Sequence, residues 1–400
     1  MTPPRRALIV VYSRIISDPR VRHQIDWLAA EGGHVDTVGL GEHPSPAVHE
    51  HWPLADLPAA ASGRTGSIAT YLLTPRRAAA RRLLADRMPT AARAAVRRGD
   101  YSLIVANDLE FIPWLTDRAT FGPEGAPRIH LDLHEVFTEY HKPGLAWRML
   151  TAGYRHWVRR QLAHPVFTTR STVAGGIAAL YREKLAIEGM AVIRNSPEYV
   201  EQQPHPVDPE RIGLLYHGLA DWSRGIGDIL AAVPLLEPRF VMTFMLTGFE
   251  KDITAIHARA EPLGDRVRFV PPVAMKDIAT AINPYDLEIM VYRPASANLV
   301  YSLPNKLFEA TQGRLGLVIG RSPMMVEIVE QYGNGVIVPE WGAAALAAAL
   351  NALSSDEVAA LKAASHAAAI ELNADTERAV FMATVGAARP STPETGAAVD

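Results

Sequence analysis

The sequence predicts an α/β protein built from two doubly wound, Rossmann-like domains. Three observations carry that expectation. Short β-branched runs alternate with helix-forming stretches in two separate series, and a proline-rich stretch divides them. A chain of 400 residues also exceeds what one ordinary hydrophobic core holds. Folds of this class bind ligands just beyond the carboxyl ends of their strands, so candidate site residues are sought there.

The elements follow in order. Leu8-Ile9-Val10-Val11 reads as a buried central strand. Ser17-Asp18-Pro19 then starts a helix with Pro19 just inside it, and Gly32-Gly33 stops that helix after Glu31. Residues 34–38, 103–106 and 129–133 repeat the strand signal. Residues 196–209 contain Pro197, Pro204, Pro206 and Pro209 and read as a linker. The alternation then restarts, with strands at 213–216, 241–246, 267–270, 287–291, 315–319 and 336–338. Helices are expected at 225–236, 303–312 and 324–331, and alanine-rich helices run to about residue 384. The predicted boundaries are 1–196 for the first domain, 197–209 for the linker and 210–375 for the second domain. Residues 376–388 form a helix returning to the first domain, and 389–400 a disordered tail.

Composition narrows the class. The chain is 48% hydrophobic and 21% charged, as in an ordinary globular enzyme. It has no cysteine, so neither a disulfide framework nor a thiolate zinc site can form. The first apolar run, residues 7–12, is shorter than a signal-peptide core, and no run reaches the roughly 20 apolar residues of a membrane span. The expected location is the cytoplasm, free or peripheral to the inner face of the membrane. The net charge of -3 hides a split: 25 Lys and Arg against 19 Asp and Glu in residues 1–200, and 15 against 24 in residues 201–400. Between residues 76 and 98, eight arginines face one acid, Asp86. This stretch suits contact with an anionic membrane or an anionic acceptor, and equally a solvated arginine-rich helix. No nucleic-acid-binding motif accompanies it, so nucleic acid is not an expected partner.

Several chemistries lose support. A dinucleotide enzyme should show G-x-G-x-x-G after its first strand, where this chain reads Tyr12-Ser13-Arg14-Ile15-Ile16-Ser17-Asp18. There is no Walker A sequence and no D-x-D pair, so no metal and no other cofactor is expected. His134-Glu135 opens like the zinc motif H-E-x-x-H, but Thr138 stands where the second histidine belongs.

Two segments point to a phosphate-bearing ligand. Tyr216-His217-Gly218-Leu219-Ala220-Asp221-Trp222-Ser223-Arg224-Gly225 follows a strand and opens a helix. Gly218 permits a close backbone turn, and Arg224 stands by a helix N-terminus, where free N–H groups attract phosphate. The second segment is Asn298-Leu299-Val300-Tyr301-Ser302-Leu303-Pro304-Asn305-Lys306-Leu307-Phe308-Glu309. Ser302 is expected to cap its helix, with Pro304 in the first turn. Lys306 then opposes the helix dipole, which makes sense where an anion is also bound. Glu309 lies one turn on, on the same face. A surface Lys–Glu pair on an ordinary helix is the weaker reading of this composite.

The chain resembles the family-4 retaining glycosyltransferases of GT-B fold over nearly its whole length. The resemblance rests on Asp18-Pro19-Arg20-Val21, Ala106-Asn107-Asp108, Asp132-Leu133-His134-Glu135, Val192-Ile193-Arg194-Asn195, the Ser302 to Glu309 segment, and residues 323–335 with Glu327, all in the family's order. It implies two domains facing across a cleft and transfer of a sugar from a nucleotide-sugar donor, with retention, to a hydroxyl of a glycan, lipid-linked or small-molecule acceptor. It further implies that Arg224 neutralises the donor diphosphate, with Lys306 sharing that load, and that Glu309 binds the ribose. His134 would lie against the transferring sugar. Gly218, Gly248, Asn298, Ser302 and Asn305 fall on the donor side, and Asp18, Arg20, Asp108 and Glu135 on the acceptor side. Three positions depart from the family pattern. Tyr301 replaces a glutamate, Leu219 replaces a basic residue, and Arg314-Leu315-Gly316 replaces Gly-x-Pro. A nucleotide-sugar epimerase of the same fold and an inactive transferase-like binding protein are the alternative readings.

Overall fold

The computed structural model describes residues 6–55, 87–136, 156–294 and 297–386. The chain divides into two compact units, residues 1–193 with 378–400, and residues 194–377.

The first unit begins with β1 (Arg6–Arg14), α1 (Pro19–Ala30), β2 (His34–Leu40) and β3 (Val48–Leu54). It continues through α2 (Thr90–Arg98), β4 (Leu103–Asn107), α3 (Ile112–Leu115), β5 (Arg128–Leu133), β6 (Thr169–Thr172), α4 (Gly175–Leu185) and β7 (Ala191–Val192). All strand pairings are parallel, in the order β3-β2-β1-β4-β5-β6-β7. Helices cover the faces of such a sheet, which is why Ala7, Leu8, Ile9 and Val10 of β1 have no exposed surface. Asp18 accepts from the Val21 amide at 3.2 Å and so caps α1, whose first residue is Pro19. The strand β3 was not legible in the sequence. Its segment Val48-His49-Glu50-His51-Trp52-Pro53-Leu54 puts three polar residues in a row and then a proline, which it tolerates because it lies at the sheet edge. Residues 76–86 of the arginine-rich stretch lie outside the described residues, and the remainder forms α2 and the turn before it.

The second unit holds β8 (Ile212–Leu219), α5 (Ile226–Ala232), β9 (Phe240–Thr247), α6 (Glu250–Ala260), β10 (Val267–Val270), α7 (Ile278–Ile282) and β11 (Leu287–Met290). After these come α8 (Ala297–Val300), α9 (Asn305–Gln312), β12 (Gly316–Ile319), α10 (Pro323–Tyr332), β13 (Gly335–Ile337), α11 (Ala343–Asn351), α12 (Ser355–Ala368) and α13 (Ala374–Gly386). The sheet is again parallel, in the order β10-β9-β8-β11-β12-β13. This order reverses direction between β8 and β11, the kind of switch point where α/β sheets bind ligands. The last helix, α13, belongs to the first unit from Arg378 onward, and there its Phe381 lies 5.4 Å from the Trp27 ring and 5.8 Å from that of His130. No single helix among the described residues is long and apolar enough to cross a membrane.

The proline-rich stretch has no regular secondary structure. It is nonetheless fastened to the second unit: Gln202 donates to the Gln312 carbonyl at 2.6 Å, and Arg314 donates to the Val200 carbonyl at 2.6 Å. Arg314 has φ 65, a left-handed conformation better suited to glycine, and its buried guanidinium also reaches the Gln312 carbonyl at 2.7 Å. The departure from Gly-x-Pro therefore has a structural use.

A polar network lies inside the first sheet. The Asp132 carboxylate accepts from Arg20 Nε at 2.6 Å and from its second terminal nitrogen at 2.7 Å, from Gln24 at 2.7 Å and from Ser171 at 2.6 Å. Arg20 also donates to the Ile193 carbonyl at 2.6 Å. Burial pushes the Asp132 carboxyl up, but Arg20 and His134 beside it hold it well below the usual carboxylate range. Breaking such a buried pair from one side leaves a charge without a counterion. Asp132→Ala should therefore cost about 3–5 kcal/mol of stability, read as a lower urea midpoint.

Candidate functional site

In the second unit the site is assembled at the carboxyl ends of β8 and β11. Gly225, with φ 81, joins a short turn to α5, and a Cβ there would meet the Val291 carbonyl oxygen at 2.5 Å. Only glycine permits that approach. Just before it, Asp221 accepts from the Ser223 amide at 2.9 Å and sets the turn that carries Arg224. Arg224 lies 5.9 Å from the centroid of the buried Tyr292 ring.

Lys306 enters from α9. Its Nζ lies 3.6 Å from the Tyr216 ring centroid and 5.5 Å from that of Tyr292. The residue is 5% exposed, and Nζ has no hydrogen-bond partner among the described residues. Burial pulls its ammonium down to about 8, the Glu288 and Glu309 carboxylates oppose that, and Arg224 adds to it. The aromatic faces supply cation–π attraction but no hydrogen-bond acceptor of ordinary strength.

Beside it His217, itself buried, lies between two carboxylates. Its Nδ1 is 3.0 Å from Glu288 Oε2 and its Nε2 is 2.9 Å from Glu309 Oε2. The His217 amide donates to Glu288 Oε1 at 3.3 Å. Burial lowers the imidazole, but Glu288 and Glu309 outweigh it and raise it to about 9. The ring is an imidazolium at neutral pH, and both nitrogens donate.

The first unit gathers a second polar group at the ends of β4 and β5. Asp108 adopts φ 61, and its Oδ1 accepts from the His134 amide at 3.0 Å. The His134 ring lies 3.4 Å from Asp108 and 3.4 Å from Asp132. Burial works against its charge, yet the two carboxylates raise its pKa above the ordinary value. Burial, with Asp108 adding to it, pushes the Glu110 carboxyl up to about 7.

Residues 211–356 match the family model described as Glycosyl transferases group 1. The matched stretch lies wholly within the second unit. No curated protein sequence matches the chain. Among solved structures, the fold is shared with sucrose-phosphate synthase from Thermosynechococcus elongatus (TM-score 0.69, 17% identity, 94% of this chain and 97% of that one). It is shared with HepE of Anabaena in complex with UDP and glucose (TM-score 0.67, 14% identity, 95% and 99%). The Escherichia coli structure named trehalose-6-phosphate, bound with UDP-2-fluoro glucose, is also similar (TM-score 0.66, 12% identity, 95% and 98%). Both parallel sheets belong to this GT-B arrangement.

In the second unit, Gly218, Arg224, Lys306 and Glu309 come together around Tyr216 and Tyr292. Gly248, with φ 127, follows β9 beside Leu219 and Ala220. Ser302 does not cap α9: that helix starts at Asn305 after Pro304, with no side-chain cap. Proline at the cap position holds an extended backbone there, which displaces the helix start by two residues from the expected 303. The Ser302 carbonyl instead receives the Ser322 hydroxyl at 3.5 Å. The Asn298 side chain and residues 137–155, with Thr138, lie outside the described residues. In the first unit His134, Asp108 and Glu135 stand together after β4 and β5. Asp18 is occupied as a helix cap, and Arg20 is buried against Asp132, so their side chains shape the scaffold. Reading the sequence for site residues missed His217, Glu288 and Glu110. A glutamate inside the apolar run Leu287-Glu288-Ile289-Met290 was the available signal. Among the described residues, no cluster of three His, Cys, Asp or Glu is placed to hold a metal ion.

Two stability predictions follow from these protonation shifts. The folded chain holds a proton on Glu110 up to about pH 7 that the unfolded chain releases near 4.5, so stability falls as pH rises between these values. Glu110→Gln removes that loss, and its melting temperature should gain on the unaltered protein between pH 5 and 7.5. Lys306 carries its charge at a cost below about pH 8. Lys306→Met should stabilise the ligand-free protein by about 1–3 kcal/mol at pH 7, an advantage that shrinks above pH 8.

Proposed function

We propose that the chain is a retaining glycosyltransferase that moves a sugar from a nucleotide-sugar donor to a hydroxyl of a sugar, glycan or lipid-linked acceptor. The observation that carries this reading is the buried Lys306 ammonium. Among the described residues its Nζ has no hydrogen-bond partner, it stands with Arg224 around one tyrosine, and it lies in the stretch that matches the glycosyltransferase family model. The names of two structural relatives, with UDP and glucose or UDP-2-fluoro glucose bound, support a nucleotide-sugar donor.

As the bond from the anomeric carbon to the diphosphate stretches, negative charge grows on the leaving phosphate oxygens. Cations already fixed in place stabilise that charge most in the transition state. Arg224 and Lys306 take this role, and Glu309 holds the ribose hydroxyls. With two side-chain cations on the diphosphate, transfer needs no metal ion. In the first unit we assign His134 to the hydroxyls of the transferring sugar, with Asp108 and Glu135 on the acceptor side.

Arg224→Ala and Lys306→Ala should each reduce donor turnover by about 100- to 1,000-fold, with smaller losses in nucleoside diphosphate affinity. Glu309→Ala should instead weaken nucleotide binding. Turnover should persist in excess chelator, and the anomeric configuration, read by NMR of the product, should match that of the donor. Near-normal turnover by both cation variants would remove the basis for this site.

A further inference from the structure

The reading of a nucleotide-sugar site leaves one arrangement unused, the buried chain Glu288–His217–Glu309. Glu288 lies in the middle of β11 with no exposed surface and holds both the backbone amide and the Nδ1 of His217. Those two bonds fix the imidazole ring in one plane. Its other nitrogen can then donate only along one line, and Glu309 Oε2 sits on that line at 2.9 Å. The second oxygen, Oε1, makes no hydrogen bond among the described residues, and the Glu309 side chain keeps 16% exposure. A carboxylate with one oxygen anchored and the other open is a fixed acceptor for a ligand hydroxyl.

We propose that His217, clamped by Glu288, is the positioning residue that aims Glu309 at the ribose hydroxyls of the donor nucleotide. The inference rests on the nucleotide-sugar reading and deepens it. Lys306 lies one turn from Glu309 on α9, and the charged groups facing His217 are Glu288 from β11 and Glu309 from α9. From β9 its ladder partner is the uncharged Met245. Arg224 stands beyond Lys306, near enough to weigh on its charge. With the ring protonated, both N–H groups are satisfied and Glu309 is held. Above about pH 9 the ring keeps one N–H. The Glu288 side retains it, and Nε2 then presents a lone pair to a carboxylate, which releases Glu309.

The test separates ribose from diphosphate. Of UDP, GDP and ADP, the one bound best by the unaltered protein is compared with its 2′,3′-dideoxy form by calorimetry. A hydrogen bond to a charged group predicts a preference for the ribose form of roughly 10- to 100-fold. In His217→Gln that preference should fall to about 3-fold or less, while affinity for the dideoxy form stays within about 3-fold. In the unaltered protein the preference should decline as pH rises through about 9. Lys306 also titrates nearby, but it acts on the diphosphate that both ligands share and cancels in the ratio. A full preference in folded His217→Gln, or equal losses for both ligands, overturns the proposal. If that variant does not fold, a preference that stays constant from pH 7 to 10 in the unaltered protein overturns it alone. Failure of the unaltered protein to bind any of the three nucleotides would instead overturn the underlying reading, and this inference with it.

Discussion

A carboxylate buried in the middle of a parallel strand stays charged only where a cation answers it, because burial strips away its water. Glu288 is in that position, and the answer comes from His217 on the neighbouring strand at 3.0 Å. The surrounding electrostatics follow from this pair. His217 has a second N–H to satisfy and takes Glu309 with it. Lys306, arriving on the same helix as Glu309, finds that carboxylate already engaged and rests on the Tyr216 ring. Glu288 and Glu309 balance His217 and Lys306, and Arg224 adds one more positive charge. These five side chains together therefore carry one excess positive charge.

The first unit shows the opposite condition. Asp132 is equally buried, yet Arg20, Gln24 and Ser171 meet its lone pairs, and Arg20 gives another N–H to a backbone carbonyl. A satisfied network of this kind is a scaffold. Its use is to hold the strand end where His134 and Asp108 emerge, beside Glu110, whose carboxyl burial pushes up to about 7.

How far the sequence spoke depended on whether a residue's role was local. The parallel strands with unbroken apolar runs, the start of α1 at Asp18-Pro19 and the Lys306–Glu309 pair were all legible, because strand, cap and helix periodicity act over a few residues. The edge strand β3 was not, since a strand with one open side need not be apolar. Arg20 read as a ligand contact because nothing local reveals that Asp132, 112 residues away, is its partner. His217 and Glu288 were hidden for the same reason: 71 residues separate them, and only the β8–β11 pairing brings them together.

The last helix has a consequence in time. Its Phe381 is 1% exposed among Trp27 and His130 of the first unit, and the Val385 carbonyl accepts from Arg128 at 3.0 Å. A growing chain makes residues 1–193, then all of 194–377, before this piece exists. At about 5–20 residues per second, the wait is on the order of 10–40 s. Through that interval the Trp27 and His130 rings lack the Phe381 ring that packs on them in the finished chain. The second unit needs no residue beyond Glu377, so all of its residues are made before the last of the first unit's.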